Sequence, residues 1–547
     1  ELITPGSPLC PGTVQPVVAM ENLGTDTINS FTIVWDINGV LDSITFNQTV
    51  LPDGIFNATL GNVTFANGVS YDVKIYTTNV NGLGVDSIPG NDTLRFDGLR
   101  TGLNGVYTID SSAVQSATNF QSFTEVANIL NNFGNCGPVT INVVTGSGPY
   151  NEQIEFSGVN ATAANPIVIN GNGDTLQFAV TNANQRAVLT FANSDYITVD
   201  SLNIIALSSG TYGWGVHITG DPIFNTPSSH INILNSTIEV PATSGSSAIQ
   251  NGIVSSGSRT SATIGVDNNN LRIENNLITG GWAGITISGN FVNRNPAFVI
   301  RNNTIQDFDD YGVRITYADS SDISLNDIER GVTRTSGTFM YGIYLLSCEN
   351  TIVDRNQIHN SHGSLLSKTG TAYPFYFTGD ATPGNETYVT NNIVYDINSN
   401  GTVYGVYDLG YDGMRFINNT ISLDDTSSTG GEVRGIYVRS PLTSGEYLNN
   451  IVSINRTGGG IKHGLYYDSP FGTGPFGPAV SDLNDVFVSS TGGTNWYGNR
   501  DGVDYTDLTA FQAATTYEAN GVEVDPNFNA PDSLFPAAGL LNGIASP

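Results

Sequence analysis

The chain has 547 residues, with 19 Lys plus Arg against 49 Asp plus Glu, a formal net charge of -30. Such a field repels phosphate backbones and anionic lipid surfaces, which excludes a nucleic-acid partner. No apolar run reaches the ~18 residues of a membrane span, which excludes membrane insertion.

Gly is abundant, at 62 residues, and Asn, Thr and Ser are frequent. This is turn and strand chemistry. Residues 1–98 carry alternating strands ("FTIVWDING", "DSITFNQTV", "IFNATLGNVTF", "SYDVKIYTTNVNG") with a turn every 8–12 residues or about that, the pattern of an immunoglobulin-like β-sandwich. The phrasing "ENLGTDTINSFTIVWDING…VDSIPGNDT" resembles the CARDB-type sandwich domains of large bacterial surface proteins. That resemblance implies a spacer or cohesion module, with "DGLRTG" (97–102) as its hinge.

Residues 99–135 are expected to be a linker and an N-terminal capping helix. In "FQSFTEVANILNN" (120–132), Phe120, Phe123, Val126, Ala127 and Leu130 fall on one helical face. Ser122 and Glu125 have capping-box spacing, and Gly134 ends the helix.

From 136 to 478 two phrases repeat. One is a glycine followed by alternating apolar residues, at Gly215, Gly252, Gly284, Gly312, Gly342, Gly405, Gly435 and Gly464, with Pro374 in one place. The steps run from 28 to 37 residues. The other is an Asn before an apolar pair, at Asn276, Asn303, Asn326, Asn356, Asn392, Asn419 and Asn450, often preceded by a second Asn as in "FINNTISLDD". A unit of about 30 residues with short strands and no helical period is one turn of a β-solenoid. Asn tolerates the positive φ of a tight corner, and its amide can bond to the Asn of adjacent coils, so the Asn repeat is read as shape.

These N-N-x-I and G-[IV]-x-[IVL] phrases resemble the right-handed parallel β-helix family, the pectate-lyase-like superfold. The implied architecture is all-β: an immunoglobulin-like β-sandwich followed by a right-handed parallel β-helix of about eleven coils. Residues 479–547, with a second helix signal around Leu508 to Ala514, are expected to be a C-terminal cap or a junction to a further module. The stretches "SFTEVANILNNFGNCGPVTINVVTGSGPYNEQIEF" and "YTDLTAFQAAT…VEVDPNF" resemble secreted β-helix proteins of the Bacteroidota. That group is often exported by type IX secretion, some members serving in gliding or attachment. It also O-glycosylates Asp-Ser/Thr-apolar sites, which 42–44, 86–88 and 174–176 match. The chain begins on the polar segment at Glu1 and is expected to be part of something longer. Cys10, Cys136 and Cys348 allow one disulfide and one buried free thiol.

Enzymes on this fold need recognisable chemistry. A lyase needs an Arg or Lys base and a cation such as Ca²⁺ to neutralise a uronate carboxylate. An inverting hydrolase needs two separated carboxylates. Asp309-Asp310 and Arg314-Ile315 partly match the polygalacturonase pattern, but no Gly-His-Gly is present and Thr316 stands where Lys belongs. Lys462-His463 offers a base and a partner. These four catalytic candidates, Asp309, Asp310, Arg314 and Lys462, are weighed against plain loop and corner residues, which is the favoured reading. His359 and His362 are a weak metal hint. No cofactor is required. The acidic loops 307–310 and 482–485 offer the oxygen ligands Ca²⁺ takes.

The Gly strand carries a sharper signal. Position +1 is apolar (Ile343, Phe375, Val406, Ile436, Leu465) and belongs to the core, so +2 faces out. There it reads Tyr344, Tyr376, Tyr407, Tyr437 and Tyr466 in five successive coils, with Arg439 and Asp468 nearby. Either a loop covers this column and it is packing, or it is an exposed aromatic stripe suited to sugar rings. The expected function is a non-catalytic extracellular adhesin or stalk segment of a bacterial cell-surface protein, binding a polysaccharide on these tyrosines. The alternatives are a secreted polysaccharide lyase or hydrolase and a structural filament or surface-layer unit.

Overall fold

A computed structural model describes residues 2–4, 8–83, 91–220, 226–241, 246–292, 294–331, 339–363, 367–468, 476–529, 534 and 536. The Asp-Ser-Ile match at 86–88 lies outside them. The chain forms two compact units, Glu1–Ser147 with Gly158–Asn170, and Gly148–Ser157 with Gly171–Pro547.

In the first unit, strands Val40–Phe46, Phe31–Ile37, Ser70–Thr78 and Thr93–Arg100 form a four-stranded antiparallel sheet in that order. Leu2–Thr4, Val17–Glu21 and Ile55–Thr59 form a second, and Gly12–Val14 pairs with Val63–Phe65. Strict alternation along Phe31–Ile37 buries Phe31, Ile33 and Trp35 on one face, where the Phe31, Phe46 and Phe56 rings meet at 5.4–5.7 Å. These small sheets around one core are consistent with a sandwich. Residues 97–100, expected as a hinge, are the end of strand Thr93–Arg100.

The same unit contains parallel pairing. Strand Leu103–Ile109 pairs with Asn135–Val143, which pairs with Ile167–Asn170. The helix runs Phe123–Phe133, directly after Ser122 as its N-cap, while Phe120, expected on the helical face, sits in a short strand. Ser122 Oγ accepts from the Glu125 amide at 3.1 Å. Glu125 reaches back one residue further than the capping box implies, to the Gln121 amide at 2.9 Å. Gly134, at φ 64°, closes the helix. Cys10 and Cys136 form a disulfide, and Cys348, in the second unit, is a buried thiol that burial pushes up to about 12.

The second unit is a parallel β-helix of three sheets. The second and third sheets each stack twelve parallel strands, one per coil. The third ends on an antiparallel strand, Val503–Tyr505. At ~4.8 Å per coil, identical positions fall into columns. The inward column of the second sheet is aliphatic and fully buried, as at Ile278, Ile305, Ile328 and Ile358.

The repeated phrases now have causes. In each third-sheet strand the inter-coil pairing skips the glycine: Tyr311 pairs with Tyr341 and Val313 with Ile343, but Gly312 and Gly342 do not pair. A Cβ on Gly312 would lie 2.4 Å from Ile328 Cγ2 and 2.7 Å from the Gly342 carbonyl. The glycines are there because the backbone presses onto the second sheet.

The two asparagines of the other phrase divide two roles that the sequence assigns to one residue. The first carries the positive φ, as at Asn275, Asn302, Asn391, Asn418 and Asn449. The second is buried and forms the ladder. Asn303 Nδ2 and its backbone N–H both donate to Asn326 Oδ1 (3.0 and 3.1 Å), and Nδ2 also donates to the Ile273 carbonyl. The same three bonds recur from Asn276 to Asn450. Where the first position is not Asn, it is strained: Leu325 sits at φ 58° and is 42% exposed. Leu in this region costs on the order of 1 kcal/mol, so Leu325→Asn is expected to raise stability by roughly 0.5–1 kcal/mol. A thermal melt showing no gain would count against this account of the corner.

The ladder ends on a residue the sequence did not flag. Asn484 donates from Nδ2 to Glu518 Oε1 (2.8 Å) and from its backbone N–H to Glu518 Oε2 (3.2 Å). Just before it, helix Leu508–Ala514 presses the fully buried Phe511 onto Tyr467, Tyr497 and Tyr505.

Candidate functional site: a double tyrosine column

The outer face of the third sheet differs between early and late coils. In the early coils it is dry. Ala187, Trp214 and Val254 cluster with Ala262 of the insertion 257–264. That insertion is held by Arg259, which makes a two-pronged ion pair to Glu155 (2.6 and 2.7 Å). His217 lies beneath it, its Nε2 within 3.2 Å of the Ser256 carbonyl, and burial holds the imidazole down to about 3. Here the outward column is structural packing.

The tyrosines begin where this cover stops, and there are two columns. Besides Tyr344, Tyr376, Tyr407, Tyr437 and Tyr466, the residue before the glycine contributes Tyr311, Tyr341, Tyr373 and Tyr404, continued by Arg434. The second column was missed because strict alternation puts position -1 on the core side with +1. The skipped glycine breaks that alternation and turns both -1 and +2 outward. The signal is in the sequence, as Tyr341-Gly342, Tyr373-Pro374 and Tyr404-Gly405 in consecutive coils.

The rings fill one another's faces. Tyr311, Tyr341 and Tyr373 stack at 4.5 and 4.9 Å with planes 8° and 6° apart. Tyr344, Tyr376 and Tyr407 follow at 5.1 and 5.0 Å, and Tyr437 and Tyr466 turn edge-on at 5.0 and 5.1 Å. The Arg434 guanidinium lies 3.5 Å from the Tyr466 ring centroid and 4.1 Å from that of Tyr437, while pairing with Glu432. Arg439 donates to the Tyr407 hydroxyl at 2.9 Å. Burial pushes the phenols of Tyr311 and Tyr404 up to about 12 and raises those of Tyr341, Tyr344, Tyr373, Tyr376, Tyr437 and Tyr466. They stay protonated at any working pH. A ligand here meets ring edges, neutral hydroxyls and a few charges more than open ring faces. Tyr407 and Tyr437 are only 7% and 6% exposed, and the other seven are half-buried.

The catalytic candidates do not come together. Arg314 and Lys462 are five coils apart, about 24 Å along the stack. Lys462 is buried and donates its ammonium to the carbonyls of Gly458 and Gly492. Arg314 lies over the Tyr344 ring at 5.4 Å, and Nη1 is 3.4 Å from Ser288 Oγ. Asp309 is buried, its amide donating to the Gly281 carbonyl. Asp310 accepts from Trp282 Nε1 at 2.8 Å. His359 is 2.7 Å from Asp327 and stacks on Tyr395, while His362 is buried beside Ser361. Among the described residues, no three His, Cys, Asp or Glu side chains converge as metal ligands.

No family model and no curated protein matches this chain. Among solved structures it is similar to PfbA, a surface adhesin of Streptococcus pneumoniae, at 12% identity over 69% of this chain and 86% of that one, with a TM-score of 0.39. It is also similar to the Agl-KA catalytic domain (11% identity, 89% and 90% covered, TM-score 0.35) and to a family 28 exopolygalacturonase of Yersinia enterocolitica (10%, 91% and 97%, 0.32). At these values the likenesses carry no argument about function. No described helix is long and apolar enough to cross a membrane.

Proposed function

We propose that this chain is a non-catalytic, extracellular adhesin or stalk segment of a larger bacterial surface protein, and that it holds a polysaccharide along the double tyrosine column. The observation that carries the reading is the change in the third-sheet face, from a covered apolar strip to nine tyrosines lined up over successive coils. A repeating row of neutral hydroxyl donors and ring edges suits a repeating hydroxylated polymer. The disulfide fits an oxidising exterior, and the strong negative charge fits a saline one. Export by type IX secretion from a member of the Bacteroidota belongs to the same proposal.

The test puts the purified chain with acidic and neutral polysaccharides, with and without Ca²⁺, and reads co-sedimentation and product release. A triple Tyr344→Phe, Tyr376→Phe, Tyr466→Phe variant removes three hydroxyls and leaves the stacks. It is expected to bind about tenfold or more weaker, on the scale of one to two kcal/mol for lost hydrogen bonds, at an unchanged melting temperature. Alanine at Tyr407 and Tyr437 is a poorer probe, because removing two such buried rings costs stability of its own. Equal binding by the triple variant would sink the tyrosine site. New reducing ends or unsaturated uronate would overturn the non-catalytic reading.

A further inference from the structure

The strip beneath the insertion 257–264 is not wholly apolar. Trp214 and Asn251 occupy the outward position before the glycine, and Thr286 the outward position two after it. All three are fully buried. The Trp214 indole N–H, the Asn251 Oδ1 and the Thr286 hydroxyl have no partner among the described residues. Asn251 commits its Nδ2 to the Ser247 carbonyl at 2.7 Å, which does nothing for its oxygen. Buried polar atoms are nearly always satisfied, so three left over on one face mark a surface built for contacts it does not make while covered.

The cover is lightly held. Its ends meet where the Gly257 amide donates to the Ile264 carbonyl at 2.9 Å, so the loop is closed on itself and can swing as a unit. Ala262 is its one buried residue, and Ile264 is 51% exposed, so burial fastens the loop by little more than a methyl group. The other fastenings are polar. The Arg259–Glu155 ion pair has side chains 28% and 23% exposed, Arg186 Nη1 donates to the Thr260 carbonyl at 2.8 Å, and Ser288 Oγ to the Ala262 carbonyl at 3.0 Å. The stack beyond the loop has its own bond, from the Val266 amide to the Ser288 carbonyl at 3.0 Å. The covered strip also runs into the tyrosines. His217 pairs with Val254, Val254 with Thr286, Thr286 with Arg314 and Arg314 with Tyr344, one unbroken outward row.

We propose that loop 257–264 is a strap over a cryptic extension of the glycan face. When it lifts, Trp214 offers an indole ring and its N–H, Asn251 an amide oxygen and Thr286 a hydroxyl to the hydroxyl groups of the polysaccharide held by the tyrosines. This rests on the tyrosine column being a glycan site.

The first test needs no glycan. In a Val254→Cys chain the new thiol lies under Ala262, and the buried Cys348 is an internal reference. Adding Arg259→Met, or Glu155→Gln to remove the same pair from the other side, should speed maleimide labelling of the new thiol about fivefold, the upper scale of an exposed ion pair, and leave Cys348 unlabelled. Unchanged labelling in both would make the loop fixed packing and overturn the strap. The second test offers soluble dextran, xylan and polygalacturonate. Arg259→Met alone should bind about fivefold tighter than wild type, the scale of one ordinary hydrogen bond, and adding Trp214→Phe should remove most of that gain. Equal binding by Arg259→Met and wild type, with the triple tyrosine-to-phenylalanine variant weaker than both, overturns the strap and keeps the column. No binding by any of these chains overturns both.

Discussion

Glu518→Ala should cost about 3–6 kcal/mol, since it orphans several buried donors at once and each costs roughly 1–3. Asn484 would lose the acceptor for its backbone N–H and the Glu518 acceptor for Nδ2, which keeps the Tyr447 carbonyl, and the Ser481 hydroxyl would lose the Glu518 oxygen it donates to. Water cannot easily replace them, because Asn484 and Glu518 are both fully buried. The damage should be local. The last coils, from strand Glu446–Leu448 to strand Thr494–Arg500, should lose hydrogen-exchange protection while the early coils keep theirs, since each coil contacts mainly its neighbours. A variant within about 1 kcal/mol of wild type, the value of one ordinary hydrogen bond, would show that the segment around Glu518 is not the stop of the ladder.

Stability should also fall as pH rises through neutrality. Burial pushes the carboxyls of Asp408, Asp485 and Glu518 up to about 7, from ordinary values of 3.8, 3.8 and 4.5. A group whose pKa is raised by folding favours the fold while protonated. Its contribution is complete below the unfolded value and is lost as pH climbs through the folded one. Between pH 6.5 and 8, three such groups together remove about 2 kcal/mol. His217 and His362, held at about 3 against 6.5 unfolded, act the other way. Their contribution is complete above 6.5 and is lost as pH falls toward 3, so the carboxyls act alone only on the alkaline side. The melting temperature should therefore climb from pH 8.5 to about 6, level off, and drop below about 4. Asp408→Asn should flatten the alkaline limb and melt higher than wild type at pH 8.5. Its amide can still accept from the Tyr411 N–H and donate to the Tyr447 hydroxyl. A melting temperature that is level or rising from 6.5 to 8.5 would refute the assignment.

What the sequence discloses here is periodic, and what it hides is where the period breaks. The coil, the inward row through Ile343, Phe375 and Val406, and the outward row from Tyr344 to Tyr466 follow from spacing alone. The first helix was legible through Ser122, Glu125 and Gly134, though the strand position of Phe120 was not. The companion row at Tyr311, Tyr341, Tyr373 and Tyr404 was hidden because the glycine skip shifts the face, a backbone event that a two-residue alternation does not encode. The insertion 257–264 folds onto a sheet whose partner, Glu155, is 104 residues away from Arg259. Glu518 continues a row of asparagines that its own residue type disguises. The distance between Arg314 and Lys462 needed the coil count, which places them five coils apart.

The asparagine ladder has a direction. Each Asn sends one Nδ2–H and its corner N–H toward the next coil, its other Nδ2–H to a carbonyl of the coil before, and every Oδ1 points back, so the ladder's side-chain carbonyls from Asn276 to Asn484 align head to tail. The column behaves as a helix dipole does, with its positive pole at Asn484. Glu518 accepts there with both oxygens, from the Asn484 Nδ2 and backbone N–H, although burial outweighs the pole and raises its carboxyl to about 7. Glu518 is thus the acceptor that closes the column, satisfying the last side-chain and backbone N–H groups at once. Lengthening this solenoid by one coil would mean inserting before it and carrying this two-oxygen acceptor along to the new end.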